Sequence, residues 1–274
     1  MRRVLRGKNV PQKVWDRVLA DPFAFVDLDE FLDRVTEARQ RVRNLPPFLQ
    51  AWSGGKDSLA LDALDALVCE VGLAESPRVY TKGAPGMEVP ETEAFLAEHL
   101  PKNCYVEDST LTMAWVASNP RRLFPANIIS DPKGKHCLPA CHSEWNSRKW
   151  ADQSRVAKNL GLGVVITGRR NADGNWVGRD GETRQKRGNL RTVNPLYDWS
   201  HEMVLAYLHD RGVQLPALYT LPPGFKYGVR PWALYPLDTV LDCWPSIIDE
   251  HRDWINEGLT RQLEAGYKLR KEKV

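Results

Sequence analysis

The sequence predicts an α/β protein: a doubly wound, mostly parallel sheet with helices on both faces, an N-terminal helical cap and an irregular C-terminal extension. Three observations carry this expectation. Short apolar runs at 48–52, 78–81, 104–106 and 163–167 alternate with longer stretches of helical period. The connections between them are short and carry Gly and Pro, as strand–helix units of a parallel sheet require. The composition, 42% hydrophobic and 27% charged over 274 residues, is that of a globular chain long enough to bury a real core.

The elements follow in order. Residues 1–46 read as helical. Val14, Val18 and Leu19 share one side of a first helix, and Leu28, Phe31, Leu32 and Val35 fit a second. Asn44-Leu45-Pro46-Pro47 ends this cap, because proline lacks a donor and restrains the residue before it. Gly54-Gly55 then separates the first strand from a helix over 58–71 with Ala60, Leu64, Leu67 and Val71 on one face. Pro90 suits the first turn of a helix bearing Phe95, Leu96 and Leu100. Residues 144–160 read as helix, and so do 200–211, with Ser200 as N-cap and Gly212 just past the end. Between them, 171–191 is polar and glycine-spaced, a long loop or irregular hairpin. Beyond 213, proline and aromatic residues dominate until a helical stretch near 246–271. The domain reading is a helical segment 1–46, an α/β domain 47–220 and an extension 221–274 packed on it.

Charge and cysteine content narrow the setting. Lys and Arg number 38 against 35 Asp and Glu, a net +3 too weak to argue for nucleic acid over the whole surface. The basic start has no apolar run behind it, and no stretch approaches the ~20 apolar residues of a membrane span. Five cysteines (Cys69, Cys104, Cys137, Cys141, Cys243) are an odd number in such a setting, which favours a reducing cytoplasm over a disulfide framework.

The segment Ser53-Gly54-Gly55-Lys56-Asp57-Ser58 carries the most chemistry. It lies between a strand and a helix N-terminus. Two glycines allow close backbone approach, and the first helical turn offers unpaired N–H groups and partial positive charge to an anion. Lys56 adds a full charge, Ser53 and Ser58 add hydroxyls, and Asp57 is placed to cap the helix or help hold Mg²⁺. The spacing departs from G-x-x-x-x-G-K-[ST], so this is a different phosphate loop from the Walker type.

Ser-Gly-Gly-Lys-Asp-Ser after a strand resembles the signature of the PP-loop adenine nucleotide α-hydrolase-like superfamily. Further segments resemble its phosphoadenosine phosphosulfate (PAPS) reductase-like branch. Val89-Pro90-Glu91-Thr92 is similar to that branch's F-P-E-T, and Thr167-Gly168-Arg169-Arg170 to its T-G-x-R. Asn194-Pro195-Leu196, Trp199-Ser200, Val204, Tyr207-Leu208, Leu215-Pro216 and Leu218-Tyr219 follow in the branch's order. The resemblance implies a nucleotide bound beyond the strand C-termini, with Ser53, Gly54, Gly55, Lys56, Asp57 and Ser58 at the phosphates. Gly168 would then approach the adenosine, and Arg170 would pair with an anion through its two-pronged donor edge. Lys56, Asp57 and Arg170 become the catalytic candidates, ATP or a PAPS-like adenine nucleotide the ligand, and Mg²⁺ the expected ion.

Departures from the branch matter as much. The reductases' terminal Glu-Cys-Gly-Leu-His is missing; the last cysteine is Cys243 in Asp242-Cys243-Trp244-Pro245. The paired cysteines of the iron–sulfur reductases are missing as well, so neither an iron–sulfur cluster nor zinc is supported. His136, Cys137, Cys141 and His142 crowd one short segment, where adjacent His-Cys pairs strain a tetrahedral site. A packed turn before a helix, thiol chemistry at Cys137 and Cys141, and metal binding with help from elsewhere all stay open. Over 169–191, seven Lys/Arg oppose three Asp/Glu, which suits either a solvated loop or a lid over a polyanion, nucleic acid included, with Trp176 available to stack on a base or pack on the body. No histidine is given a catalytic role.

Three functions therefore stand. The first is an ATP-using enzyme that cleaves between the α- and β-phosphates and adenylates an acceptor, with a sulfur donor protein as one candidate partner. The second is a thiol-dependent sulfonucleotide reductase variant, and the third a non-catalytic nucleotide- or nucleic-acid-binding component. A homo-oligomer is compatible with each.

Overall fold

A computed structural model describes residues 5, 10–69, 75–83, 86–108, 129–130, 139–184, 190–266 and 268–269. The chain divides into two compact units. One comprises Met1–Tyr80, Ala94–Val106 and Asp152–Val229, the other Thr81–Glu93, Glu107–Ala151 and Arg230–Val274.

A six-stranded sheet forms the frame. Its strands are β1 (Phe48–Ala51), β2 (Arg78–Lys82), β3 (Cys104–Asp108), β5 (Val164–Ile166), β6 (Glu182–Arg184) and β7 (Arg191–Val193), in the spatial order β3-β2-β1-β5-β7-β6. β1 runs parallel to β2 and β5, and β5 parallel to β7, while the edge strand β6 runs antiparallel to β7. The later part of the segment expected as a loop or irregular hairpin thus pairs, Glu182–Arg184 against Arg191–Val193. The order runs outward from β1 through β2 to β3 and then restarts beside β1 with β5. Such a reversal leaves a crevice beyond the C-terminal ends of β1 and β5.

Side-chain alternation shows why helices cover both faces. Phe48, Val164, Ile166 and Val193 point to one side, into a buried cluster with Leu61 and Leu64 of α3 (Lys56–Cys69) and Val204 and Tyr207 of α6 (His201–Asp210). Leu49, Val79 and Val165 point to the other, against Val156 and Ala157 of α5 (Pro139–Asn159). Ser200 caps α6 as expected, its hydroxyl accepting the Met203 N–H.

The N-terminal helices are α1 (Gln12–Ala20) and α2 (Leu28–Arg43). Asp27 caps α2 by accepting the Glu30 N–H. The α2 stripe differs from the expected one. Phe31, Val35, Ala38 and Val42 are buried, whereas Leu28 and Leu32 are 57% and 53% exposed. Steps of four, three and four keep the first set on one face, and Leu28 and Leu32 fall outside it. Ion pairs finish the docking: Arg34 Nη1 lies 2.7 Å from Asp198 Oδ2, Arg41 Nη2 lies 3.2 Å from the same oxygen, and Arg41 sits over the Tyr197 ring at 4.7 Å.

The second unit carries the start of α4 (Pro90–His99), where the Val89 carbonyl accepts the N–H groups of Thr92 and Glu93. Trp232 donates its backbone N–H to the Met87 carbonyl and its indole N–H to that of Gly86, both at 2.7 Å, and stacks on His251. Trp244 donates to Glu91 Oε2 at 2.9 Å. A helix α7 (Leu237–Cys243) forms where proline and aromatic residues dominate, and the expected terminal stretch near 246–271 is two helices, α8 (Pro245–Glu250) and α9 (Arg252–Glu264). Pro245 starts a new helix, since it cannot continue the preceding one, and His251 leaves helical geometry between the last two. The short strands β4 (Ile129–Ser130) and β8 (Lys268–Leu269) pair antiparallel.

Candidate functional site

The turn between β1 and α3 sits at the crevice, and its own side chains brace it. Ser58 Oγ donates to the Gly55 carbonyl at 2.9 Å and accepts the Ser53 N–H at 3.3 Å, while Ser53 Oγ accepts the Gly55 N–H at 3.4 Å. Gly54 has φ 67°, a left-handed conformation that favours glycine, and a Cβ there would touch the Trp52 ring at 3.4 Å. The first-turn N–H of Lys56 is taken by the Tyr219 hydroxyl at 2.9 Å. Below the turn, Gln50 Nε2 donates to the Ser58 carbonyl and to Asp62, and Trp52 and Arg78 donate to Asp62 as well. This network fastens the first turns of α3 to β1 and β2.

The loop after β5 meets the turn from the other side of the crevice. A Cβ on Gly168 would fall 2.7 Å from Asp57 Cβ and 2.9 Å from its carbonyl carbon, so only glycine allows this approach. Thr167 is tied to Asn194 by a side-chain hydrogen bond of 2.5 Å, and Asn194 donates both N–H groups, backbone and side-chain, to the Gly181 carbonyl at 2.8 Å.

These contacts gather a charged cluster. Lys56 Nζ lies 2.8 Å from each Asp57 carboxylate oxygen. Arg170 Nε lies 3.0 Å from Asp57 Oδ1 without hydrogen-bond alignment; its Nη2 donates to Asp173 Oδ1 at 2.9 Å, and its Nη1 to the Trp199 carbonyl at 3.3 Å. His201 Nδ1 is 3.1 Å from Arg170 Nη2, and its Nε2 is 3.4 Å from Asp173 Oδ1. An arginine only donates, so Nδ1 is the bare acceptor and the ring is neutral. Burial, then Lys56 and Arg170, hold the His201 pKa far below its ordinary value. Burial also lowers the Lys56 ammonium, with Arg170 adding to it and Asp57 opposing. Burial works to raise Asp57, but Arg170 and Lys56 outweigh it and hold the carboxyl below the usual range. Asp173 moves the other way, raised by burial.

The structure brings together Ser53, Gly54, Gly55, Lys56, Asp57, Ser58, Gly168 and Arg170, eight residues from two loops 110 positions apart in sequence. Asp173, His201 and Tyr219 join them; the sequence analysis assigns none of the three a part in the site, although Leu218-Tyr219 is one of the segments that resemble the family. A signal existed for Asp173, three residues past Arg170 in the same loop. Arg170 is fully buried rather than displayed on a basic lid, and Arg191 is paired with Glu182, so the charge excess over 169–191 is partly spent internally. Trp176, in contrast, stands 77% exposed. Lys186 and Arg187 lie outside the described residues, as do His136 and Cys137; Cys141 lies on α5, and its side chain is outside the description.

An open sheet with a glycine turn at its switch point, followed by a helix and a buried lysine, is the architecture of the PP-loop adenine nucleotide α-hydrolase-like superfamily. Within it, residues 47–222 match the phosphoadenosine phosphosulfate reductase domain, and the chain belongs to that family. A search of curated proteins returned no match. Among solved structures the chain is similar to the PAPS reductase of Candida auris in its phosphate complex, at 16% identity over 82% of this chain and 97% of that one, with a TM-score of 0.48. It is also similar to the U34-tRNA thiolase NcsA of Methanococcus maripaludis with its [4Fe–4S] cluster (13% identity, 86% and 80% covered, TM-score 0.44). The NAD⁺ synthetase of Burkholderia pseudomallei is a third (17% identity, 86% and 99% covered, TM-score 0.42).

Proposed function

We propose that the protein binds ATP at the 53–58 turn and cleaves it between the α- and β-phosphates, adenylating an acceptor. One observation carries this reading: Lys56 and Arg170, 4% and 0% exposed, converge under a glycine turn at the switch point of the sheet. Two fixed cations stabilise charge that develops on phosphate oxygens, with no reorganisation at the moment of reaction. In the step itself, a nucleophilic atom of the acceptor attacks the α-phosphorus. The bond from that phosphorus to the bridging oxygen breaks, and pyrophosphate leaves with the electron pair. Lys56 and Arg170 take up the charge on the α-phosphate and the leaving group, and Gly168 lets the loop that carries Arg170 close against Asp57.

Asp57 and Asp173, each 25% exposed in its side chain, supply hard oxygen donors on the open side of the cations. Among the described residues no group of three or more His, Cys, Asp or Glu gathers around one point. Mg²⁺ takes one or two carboxylates and completes its shell with water and substrate phosphates. Bound by Asp57 and Asp173, Mg²⁺ would neutralise charge on the departing pyrophosphate.

Family membership favours a second reading, reduction of a sulfonucleotide by a protein thiol. The two thiols whose surroundings are described are poor nucleophiles. Burial, aided by Asp62, pushes Cys104 up to about 12, and burial with Asp242 and Glu91 raises Cys243. This reading therefore rests on Cys137 and Cys141. The exposed indole of Trp176 supports a third, in which the protein serves a nucleic-acid modification system.

One assay separates these readings: the purified protein is incubated with Mg²⁺ and either ATP or PAPS, alone and with a nucleophile such as sulfide or hydroxylamine. Pyrophosphate release from ATP, abolished in Lys56→Ala, is expected. Sulfite from PAPS, or release unchanged in Lys56→Ala, overturns the proposal.

A further inference from the structure

The cations of the candidate site are already satisfied by the protein's own groups. Lys56 Nζ holds both Asp57 oxygens, Arg170 is shared between Asp57 and Asp173, and the Lys56 N–H is bound to Tyr219. Two positive and two negative side chains, with a neutral His201, leave no net charge to attract a polyanion. A phosphate entering this arrangement must take the place of something.

Exposure distinguishes the groups able to leave from those that stay. Lys56 and Arg170 are 5% and 0% exposed in their side chains, whereas Asp57 and Asp173 are 25% exposed, so the carboxylates lie on the solvent side of the cations. Tyr219 is fixed. It is 3% exposed, packs against Phe225, and Phe225 stacks on Trp15 with ring centroids 4.3 Å apart. Gly224 presses on its backbone, where a Cβ would fall 2.8 Å from Tyr219 Cα. The backbone of Asp57 is likewise pinned by Gly168, which leaves only its side chain to rotate.

We propose that the Asp57 and Asp173 carboxylates are internal placeholders for the ligand's oxyanions, and that binding exchanges them for phosphate oxygens on Lys56 and Arg170. The proposal rests on the reading of the 53–58 turn as an anion site, and it deepens that reading. The carboxylates compete with every anionic ligand and keep the buried cations neutralised until one arrives. They tune affinity downward, and once turned toward solvent they become available to a cation that travels with the phosphates. Tyr219 plays a different part: it holds the first turn of α3 in shape and is not exchanged.

The test is calorimetric titration of inorganic pyrophosphate in a chelator-containing buffer, using the wild type, Asp57→Asn, Asp173→Asn and Lys56→Met. The asparagines keep the side-chain shape and remove the competing charge. Asp57→Asn is expected to bind metal-free pyrophosphate about tenfold tighter than the wild type. Asp173→Asn, which frees only Arg170, gains less, and Lys56→Met binds weaker than the wild type. Thermal melting of the same samples gives a second reading: Asp57→Asn melts below the wild type without pyrophosphate and gains more on its addition, because the ligand restores the missing counter-charge. Should Asp57→Asn not fold, Asp173→Asn carries the test. Wild-type binding that is lost in Lys56→Met but unchanged or weakened in both asparagine variants overturns the placeholder proposal while leaving the anion site standing. Absence of binding and of any melting shift in all four proteins overturns the anion site, and the proposal with it.

Discussion

His201 shows how a single buried side chain reports on the whole cluster. Its Nδ1 accepts from an arginine that cannot act as acceptor, so protonation would leave two donors facing each other in the interior. The folded-state pKa is therefore far below the ordinary value, whereas the unfolded chain takes up a proton near pH 6.5. A group with a depressed folded pKa contributes stability that is complete above its unfolded value and is lost as pH falls beneath it. The protein is expected to lose up to about 1.4 kcal/mol of stability per pH unit below pH 6.5 through this residue. Urea unfolding from pH 7.5 to 5.5 measures the slope, and His201→Asn should flatten it; an equal slope in both proteins would show the ring to be freely protonated. The glycine turn was legible in the sequence because its chemistry is contiguous. The parts of His201 and Tyr219 were not, since they enter from α6 and from the segment after it, and only the fold brings them to Lys56 and Arg170; Asp173 follows Arg170 in the same loop, where it was counted with the other charges.

At the level of elements, α2 shows what amphipathic period settles and what it leaves open. Leu28, Phe31, Leu32 and Val35 all suit a helix, but the buried stripe continues through Ala38 and Val42, and that continuation puts Leu28 and Leu32 on the outside. Phe31→Ala should cost roughly 3–5 kcal/mol, as expected for a large side chain removed from the core. Leu32→Ala should stay within about 0.5 kcal/mol of the wild type. Chemical denaturation of the pair checks this, and a comparable loss in both would mean that Leu32 is covered by something. The strands were easier to read. Apolar runs of three to five residues place β1, β2, β3 and β5, and alternate residues of β1 and β5 feed two different buried clusters. The hairpin of β6 and β7 was harder, because Glu182, Thr183 and Arg184 carry no apolar signal; the backbone ladder and the Glu182–Arg191 ion pair join the two strands.

For the molecule as a whole, topology produces the site. β1 lies beside both β2 and β5, so the loops that leave β1 and β5 open into one crevice, and Gly168 can rest against Asp57. The order of the sequence motifs pointed to this sheet, and residues 47–222 confirm the family by direct match. The charge state of the site was not readable from the same motifs. Lys56 and Arg170 suggested an open positive cradle, whereas the fold neutralises them with Asp57 and Asp173. No described helix is long and apolar enough to cross a membrane. The central claim is that the 53–58 turn grips the phosphates of an adenine nucleotide, and calorimetric titration of ATP and of PAPS, with Mg²⁺ present, tests it most directly. The account predicts saturable binding of at least one of them to the wild type, weakened at least about tenfold in Lys56→Ala. Equal affinity in the two proteins, or no heat with either nucleotide, would contradict it.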